Sequence, residues 1–570
     1  MVYPRKYIVI FLLLICSSQY SFAQKNKSSK LTEEQSIAFD REYIDGAKNK
    51  ILGNDKDALT HFRNCLQIDP NNAAVHYQIA DISFQKGNME TASKSIEIAV
   101  TNDPENLWYR KLQLEILDAQ NDYINAAKAS YVLGKKEKDV KYIMAAAYYY
   151  QRAKDYKNAI RMLDEAEKIS GPTEEIIYNK EQLYLTIRKP KKAIAEIQKL
   201  INTNPGNTKY EGMLADLYMN TGEQQRAVGI YKGILQKEPR NGFAGFALAD
   251  YYYNAKEYDS SLIYLKMGMS GDNIDIKQKL NVLIPFVANT YLKELGSHKK
   301  EITLLFIETH PEDMSGYAIY GDLYLEDKNY KNAREQYAKA VELDPNASNV
   351  WNQLLTCDEA LADYASMVKH CAMAIELYPY EVNYYYYGAF ASYRIQDYSQ
   401  TIKFALEGID LTIPGDEIRI NMYSLAGDAA HYAKNYALCD SIYMQAIDEY
   451  PESALALNNY AYFLSLRNEK LDLAASYSKK SLELEPKNPS YLDTYAWIMY
   501  KQKNYSEAQK YILQTLEFTP ESAEVLEHAG DIYYKLGKTD EAVNFWMKAK
   551  NNGSKNEFID KKIKDKKLYE

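Results

Sequence analysis

Six aspartates each stand directly after a small residue: Asp81 after Ala80, Asp216 after Ala215, Asp250 after Ala249, Asp322 after Gly321, Asp428 after Gly427 and Asp531 after Gly530. Glu115 takes the corresponding place in the third unit, after Leu114. Carboxylates that recur at one place in a repeated phrase line up along a face when the phrases stack. Such a row makes an acidic groove for basic or amide-rich extended ligands. The same acids also have a structural reading, in which each accepts a hydrogen bond from a neighbouring element or simply faces water. Tyr253 joins the candidate groove because the chain is rich in tyrosine, with 54 against 15 Phe and 4 Trp. Runs such as Tyr148-Tyr149-Tyr150, Tyr251-Tyr252-Tyr253 and Tyr384 to Tyr387 cannot all face one core, since successive helical residues turn by about 100°. Some phenols are therefore exposed, and an exposed phenol suits peptide binding or stacking on sugars.

Other chemistry is absent from the pattern. Leu536-Gly537-Lys538-Thr539 resembles the end of a phosphate-binding loop, but position 532 is Ile where that loop needs Gly, and a helix rather than a strand precedes it. The seven histidines include no H-x-x-x-H pair for zinc. Gly268-Met269-Ser270-Gly271 has neither the spacing nor the strand of a nucleophile elbow. The expectation is a non-enzyme with no catalytic residue, no metal ligand set and no cofactor. Cys65 and Cys439 take places where sister phrases carry Ala, and read as small buried hydrophobes. Cys357 and Cys371 fall on two helices of one repeat, where an oxidising compartment permits a bridge that sequence alone does not establish.

The elements that carry these residues follow from composition and period. Of 570 residues, 46% are hydrophobic and 26% charged, enough to bury a core. Gly (24) and Pro (16) are sparse, which favours long helices over a turn-rich β chain. The formal charge is -9, and beyond residue 23 there are 67 basic against 78 acidic residues. An acidic chain of this kind is not expected to bind nucleic acid, which needs a basic face.

Residues 1–23 read as a leader. Arg5 and Lys6 precede an apolar run from Tyr7 to Cys16, too short to span a bilayer, and Ser21-Phe22-Ala23 offers small residues for cleavage between Ala23 and Gln24. Acylation of Cys16 is the alternative, and Ile15 departs from the small residue that a lipoprotein signal wants before its Cys. No transmembrane span is expected elsewhere; peripheral membrane association stays open.

Three ladders set the fold. Pro70, Pro104, Pro205, Pro239, Pro311, Pro345, Pro379, Pro451, Pro486 and Pro520 lie one, two or three steps of about 34 residues apart. Ala58, Ala92, Ala126, Ala159, Ala193 and Ala227, then Ala474, Ala508 and Ala542, form a second ladder; Gly46, Ala80, Ala147, Ala215, Ala461, Ala496 and Gly530 form a third in the same register. In one of the cleanest units, Tyr317 to Pro345, the positions Tyr320-Gly321, Tyr324, Tyr330, Ala333, Tyr337, Ala340 and Pro345 resemble the tetratricopeptide repeat (TPR) pattern. Gly321, Ala333 and Ala340 are expected where two helix backbones approach, Tyr324 and Tyr337 as knobs between them, and Pro345 as the stop.

The resemblance implies an all-α, right-handed superhelical solenoid of about fifteen TPR helix hairpins. The expected organisation is a signal peptide over 1–23, a polar lead-in over 24–38, an N-terminal array over 39–273, a diverged repeat or joint over 274–313, a C-terminal array over 314–550 and a charged C-terminal cap over 551–570. Phe558, Ile559 and Ile563 place a helix in that cap. What the resemblance implies for function is a scaffold or adaptor that holds other proteins; with the leader, that is an exported protein of the bacterial envelope, in the periplasm. A carbohydrate-binding role, guiding an exported polysaccharide along a Tyr-lined groove, is the alternative.

Overall fold

A computed structural model describes residues 31–569, and the leader over 1–23 lies outside them. The described residues form thirty-one α-helices and one 3₁₀ helix, with no strand among them. From Glu33–Ile51 with Asp55–Ile68 to Ala523–Lys535 with Thr539–Asn551, the helices pair into fifteen hairpins. The first helix starts earlier than the polar composition of 24–38 suggests, at Glu33. Thr32 Oγ1 accepts from the Gln35 amide (3.2 Å) while Gln35 Oε1 accepts from the Thr32 amide (3.0 Å), a reciprocal cap that starts the helix inside a polar stretch.

Two local devices repeat with the hairpins. Inside a hairpin the turn passes through one left-handed residue, such as Gly87, Asn121, Lys154, Lys328, Lys434 or Gly537. In many hairpins an Asn or Asp shortly after then caps the second helix, as Asn88 accepts from the Thr91 amide at 3.1 Å, whereas Lys538 after Gly537 makes no such bond. Few of these left-handed residues are glycine, so the turn leaves no glycine ladder in the sequence. Between hairpins, the proline that ends a phrase presents a carbonyl, and a donor six residues later satisfies it. His76 does so for Pro70 (2.9 Å), Arg110 for Pro104 (2.7 Å), Tyr317 for Pro311 (3.2 Å), Trp351 for Pro345 (2.9 Å) and Tyr385 for Pro379 (3.1 Å).

The small residue of the first helix has a different purpose from the one expected. A Cβ on Gly321 would stand 2.6 Å from the Tyr337 ring, one on Gly46 2.8 Å from Phe62, and one on Gly530 2.3 Å from Trp546. Side chains of the second helix, not its backbone, fill the space that glycine leaves.

The chain divides into two compact units, 1–251 and 252–570. The division falls ahead of the 274–313 stretch, which itself folds as a hairpin: Ile276–Val287, with Pro285 inside it, and Lys299–Thr309, joined through the 3₁₀ turn Lys293–His298. In the first unit a continuous core runs from Ala127 to Leu217. In the second, Tyr385 to Ile532 form one cluster across five hairpins. Cys65, Cys357, Cys371 and Cys439 are free thiols, all buried, so no bridge joins Cys357 to Cys371. Beyond the last hairpin lies the short helix Ile559–Asp565, within the stretch expected to cap the array.

Candidate protein-binding surface

The acid row divides by what stands fifteen residues downstream. The Tyr231 hydroxyl donates to Asp216, Tyr337 to Asp322 at 2.7 Å, Tyr443 to Asp428, and the Trp546 indole N–H to Asp531 at 2.7 Å. Each of these aromatics is buried, with its polar tip as the one part that needs a partner. The aspartate is that partner, one residue past the small residue on which the ring lies. In the first hairpin the ring belongs to Phe62, which has no polar tip, and the residue after Gly46 is Ala47. These four carboxylates are therefore clasps within their own hairpins. Burial pushes the Asp428 carboxyl up to about 7 although Tyr443 and Asn459 both donate to it.

The clasp makes a double substitution informative. Tyr443→Phe alone leaves Asp428 without its buried donor and is expected to cost about 1–3 kcal/mol. Adding Asp428→Ala copies the Ala47–Phe62 arrangement and should return most of the loss, as read in urea unfolding of the two variants and the pair. A double variant no better than Tyr443→Phe would remove the clasp from the account.

The remaining predicted residues are placed differently. Asp81 pairs with Lys50 of the preceding hairpin and accepts from Gln85 at 3.0 Å. Asp250 is exposed, as are Asp216 and Asp322 apart from their clasps, whereas Asp531 is buried. The Tyr253 hydroxyl donates to Glu294, and its ring lies 5.5 Å from that of Tyr258. The structure thus does not assemble the row into one open line of acids.

It sets instead a series of aromatic rings on first helices of the second unit that sequence reasoning missed, ending in a cleft lined by Trp497, Glu524 and His528. First helices of successive hairpins contribute Tyr432, Tyr462, Trp497 and His528. Glu524, on the last hairpin, bears electrostatically on both Tyr432 and Tyr462, raising their hydroxyls after burial has done most of the work. Tyr432 is 47% exposed and packs on Tyr398 (5.7 Å) and Phe463 (5.9 Å). His528 stacks on Trp497 at 4.1 Å, and Lys501 lies over the same indole at 4.8 Å. Burial alone would lower the His528 pKa, but Asp493, 3.0 Å away, holds the ring charged and lifts it to about 9. Aromatic faces, fixed cations and carboxylates of this kind suit an extended or helical polypeptide. The tyrosine excess was the sequence signal; which tyrosines share a face depends on hairpin stacking. Among the described residues, no group of three or more His, Cys, Asp or Glu is arranged to hold a metal ion, and no helix is long and apolar enough to cross a membrane.

Residues 53–115 and 315–347 each match the tetratricopeptide repeat family. The chain carries tetratricopeptide repeats. Its fold is an all-α TPR solenoid, and residues 467–548 match the family described as anaphase-promoting complex, cyclosome, subunit 3. The mouse (Mus musculus) tetratricopeptide repeat protein 21A is 21% identical over 554 residues, which cover 90% of this chain and 40% of that protein. A TPR repeat-containing protein of Pseudomonas aeruginosa is 35% identical over 81 residues, 14% of each chain. The chain thus spans less than half the length of either relative. Among solved structures, the yeast Tom70 is similar with a TM-score of 0.31 at 16% identity, over 76% of this chain and 95% of that one. A tetratricopeptide repeat protein from Parabacteroides merdae gives a TM-score of 0.37 at 12% identity, over 44% and 98%.

Proposed function

We propose that the protein is a non-enzymatic scaffold that holds other proteins in the groove of its second unit, and that it acts in the bacterial cell envelope after export behind the leader at 1–23. The cleft lined by Trp497, Glu524 and His528 carries the binding part of this reading, and the exposed ring of Tyr432 on an earlier first helix of the same unit supports it. The leader composition of Arg5, Lys6 and the run to Cys16 supports export. The test is affinity capture of the tagged protein from crosslinked envelopes of its host, with mass spectrometry of the eluate. The expected result is one reproducible protein partner, lost when Tyr432→Ala and Glu524→Lys are combined, while helical content stays unchanged. Both side chains are exposed, so the substitutions spare the core. Equal capture by the variant moves the binding face elsewhere, and recovery of glycan without protein overturns the scaffold reading.

A further inference from the structure

Lys562 is charged and yet only 2% exposed. Its Nζ lies 2.9 Å from both oxygens of Asp531 and 3.0 Å from Oε1 of Glu527. Ser554 (3.0 Å) and Asn556 from the same tail donate to Glu527 as well. Three donors from one short segment thus converge on two first-helix carboxylates of the last hairpin.

The segment that delivers them is lightly fastened. Its helix, Ile559–Asp565, has seven residues and stops at Lys566 in the left-handed region, and Ile559 and Lys562 are its buried side chains. A helix of that length does not persist without its packing, and such elements are the first to open locally. Opening strips Asp531 of its counter-charge, and a buried carboxylate does not tolerate that loss unless another cation replaces it. Beside Lys562 a cleft of about 760 Å³ remains, lined by Trp497, Glu524 and His528 on the solenoid side and by Phe558 and Tyr569 on the tail side. The tail therefore sits at the end of the groove without filling it.

We infer that residues 554–569 are a tethered stand-in for a ligand, and that this end of the groove takes a lysine-bearing amphipathic helix of a partner protein in their place. The ligand presents apolar side chains at the places of Ile559 and Ile563, with a lysine at that of Lys562. This rests on the scaffold reading and names the partner's chemistry and the element it must displace.

The inference is tested with the purified full-length chain and a fluorescein-labelled peptide of residues 554–570. Wild type is expected to bind the peptide weakly because its own tail is in place. Lys562→Ala loosens that tail and should bind the peptide about tenfold more tightly. A peptide carrying the same Lys562→Ala change should bind neither chain. Equal binding by wild type and variant, or indifference to the peptide's lysine, overturns the inference. A second measurement covers a variant whose last hairpin fails to fold: a protease site placed between Gly553 and Ser554 leaves every groove residue native. After cleavage the tail should exchange for excess labelled peptide, and a tail that resists exchange overturns the inference. Failure here leaves envelope capture untouched, and a blank capture leaves the peptide result standing, so the two readings fail separately.

Discussion

Gly427→Ala will destabilise its hairpin by about 3 kcal/mol, the upper part of the range for overfilling a packed site. The new Cβ would lie 2.4 Å from Cε2 of Tyr443 and 2.8 Å from Cδ2. That ring has nowhere to go: it is fully buried, stacked on Tyr460 at 5.5 Å, and fixed at its far end by the Asp428 carboxylate. Either the ring leaves its rotamer or the two helices separate, and both disturb a core that runs on into the neighbouring hairpins. The matched control is Gly233→Ala, in the helix Gln224–Lys237, where no atom lies within 4 Å of the added methyl. That change should stabilise by about 0.5–1 kcal/mol, since alanine is the better helix former. Urea unfolding of the two variants separates the explanations. Similar small effects would mean that the glycine at position 427 is a matter of propensity and not of space.

Lys180→Met will cost about 3–5 kcal/mol, the range for breaking a buried ion cluster by removing one partner. Lys180 is 1% exposed and reaches Asp164 and Glu167 at 2.6 Å and Glu196 at 3.0 Å. Burial disfavours its charge, but the three carboxylates together hold it protonated well above the usual lysine range. Lys199 also touches Glu167 (2.8 Å) and Glu196 (2.7 Å), so the cluster balances two cations against three acids. Methionine fills the volume but leaves the acids facing one remaining ammonium. Combining Lys180→Met with Glu196→Gln should recover part of the loss, because Glu196 is the most buried of the three. Thermal unfolding followed by circular dichroism gives the comparison. A single variant within about 0.5 kcal/mol of wild type would place the cluster among the ion pairs that contribute nothing net.

The period of 34 carried the architecture: hairpin count, helix ends at the prolines and the small-residue positions were all readable before any coordinate. What the period could not convey was the destination of side chains. Gly321 was expected to admit a backbone and admits the Tyr337 ring, because sequence spacing locates a close approach without saying what approaches. The aspartates after the small residues read either as a row along a groove or as hydrogen-bond partners of neighbouring elements, and their sequence positions did not decide between the two. Their partners were in the sequence all along, fifteen positions on, at Tyr231, Tyr337, Tyr443 and Trp546. The rule becomes visible only when Ala47 is set beside Phe62, where the aromatic has no hydrogen to give. The lead-in was misjudged since Thr32 and Gln35 form their cap within residues that composition alone marks as unstructured. The meeting of His528 with Trp497, and of Tyr432 with Phe463, was beyond reach, for these residues meet only through the packing of successive hairpins.

The ranges of the pairings also bear on time. An aspartate meets its aromatic fifteen residues along the chain, and the ion pairs between neighbours, such as Lys50 with Asp81, close about thirty. Short loops close fast and early. A nascent chain therefore commits each hairpin as soon as the next has emerged. Lys562 reaches back over 31 residues to Asp531 in the same way, so that buried carboxylate stays uncompensated until the segment after its hairpin has been made.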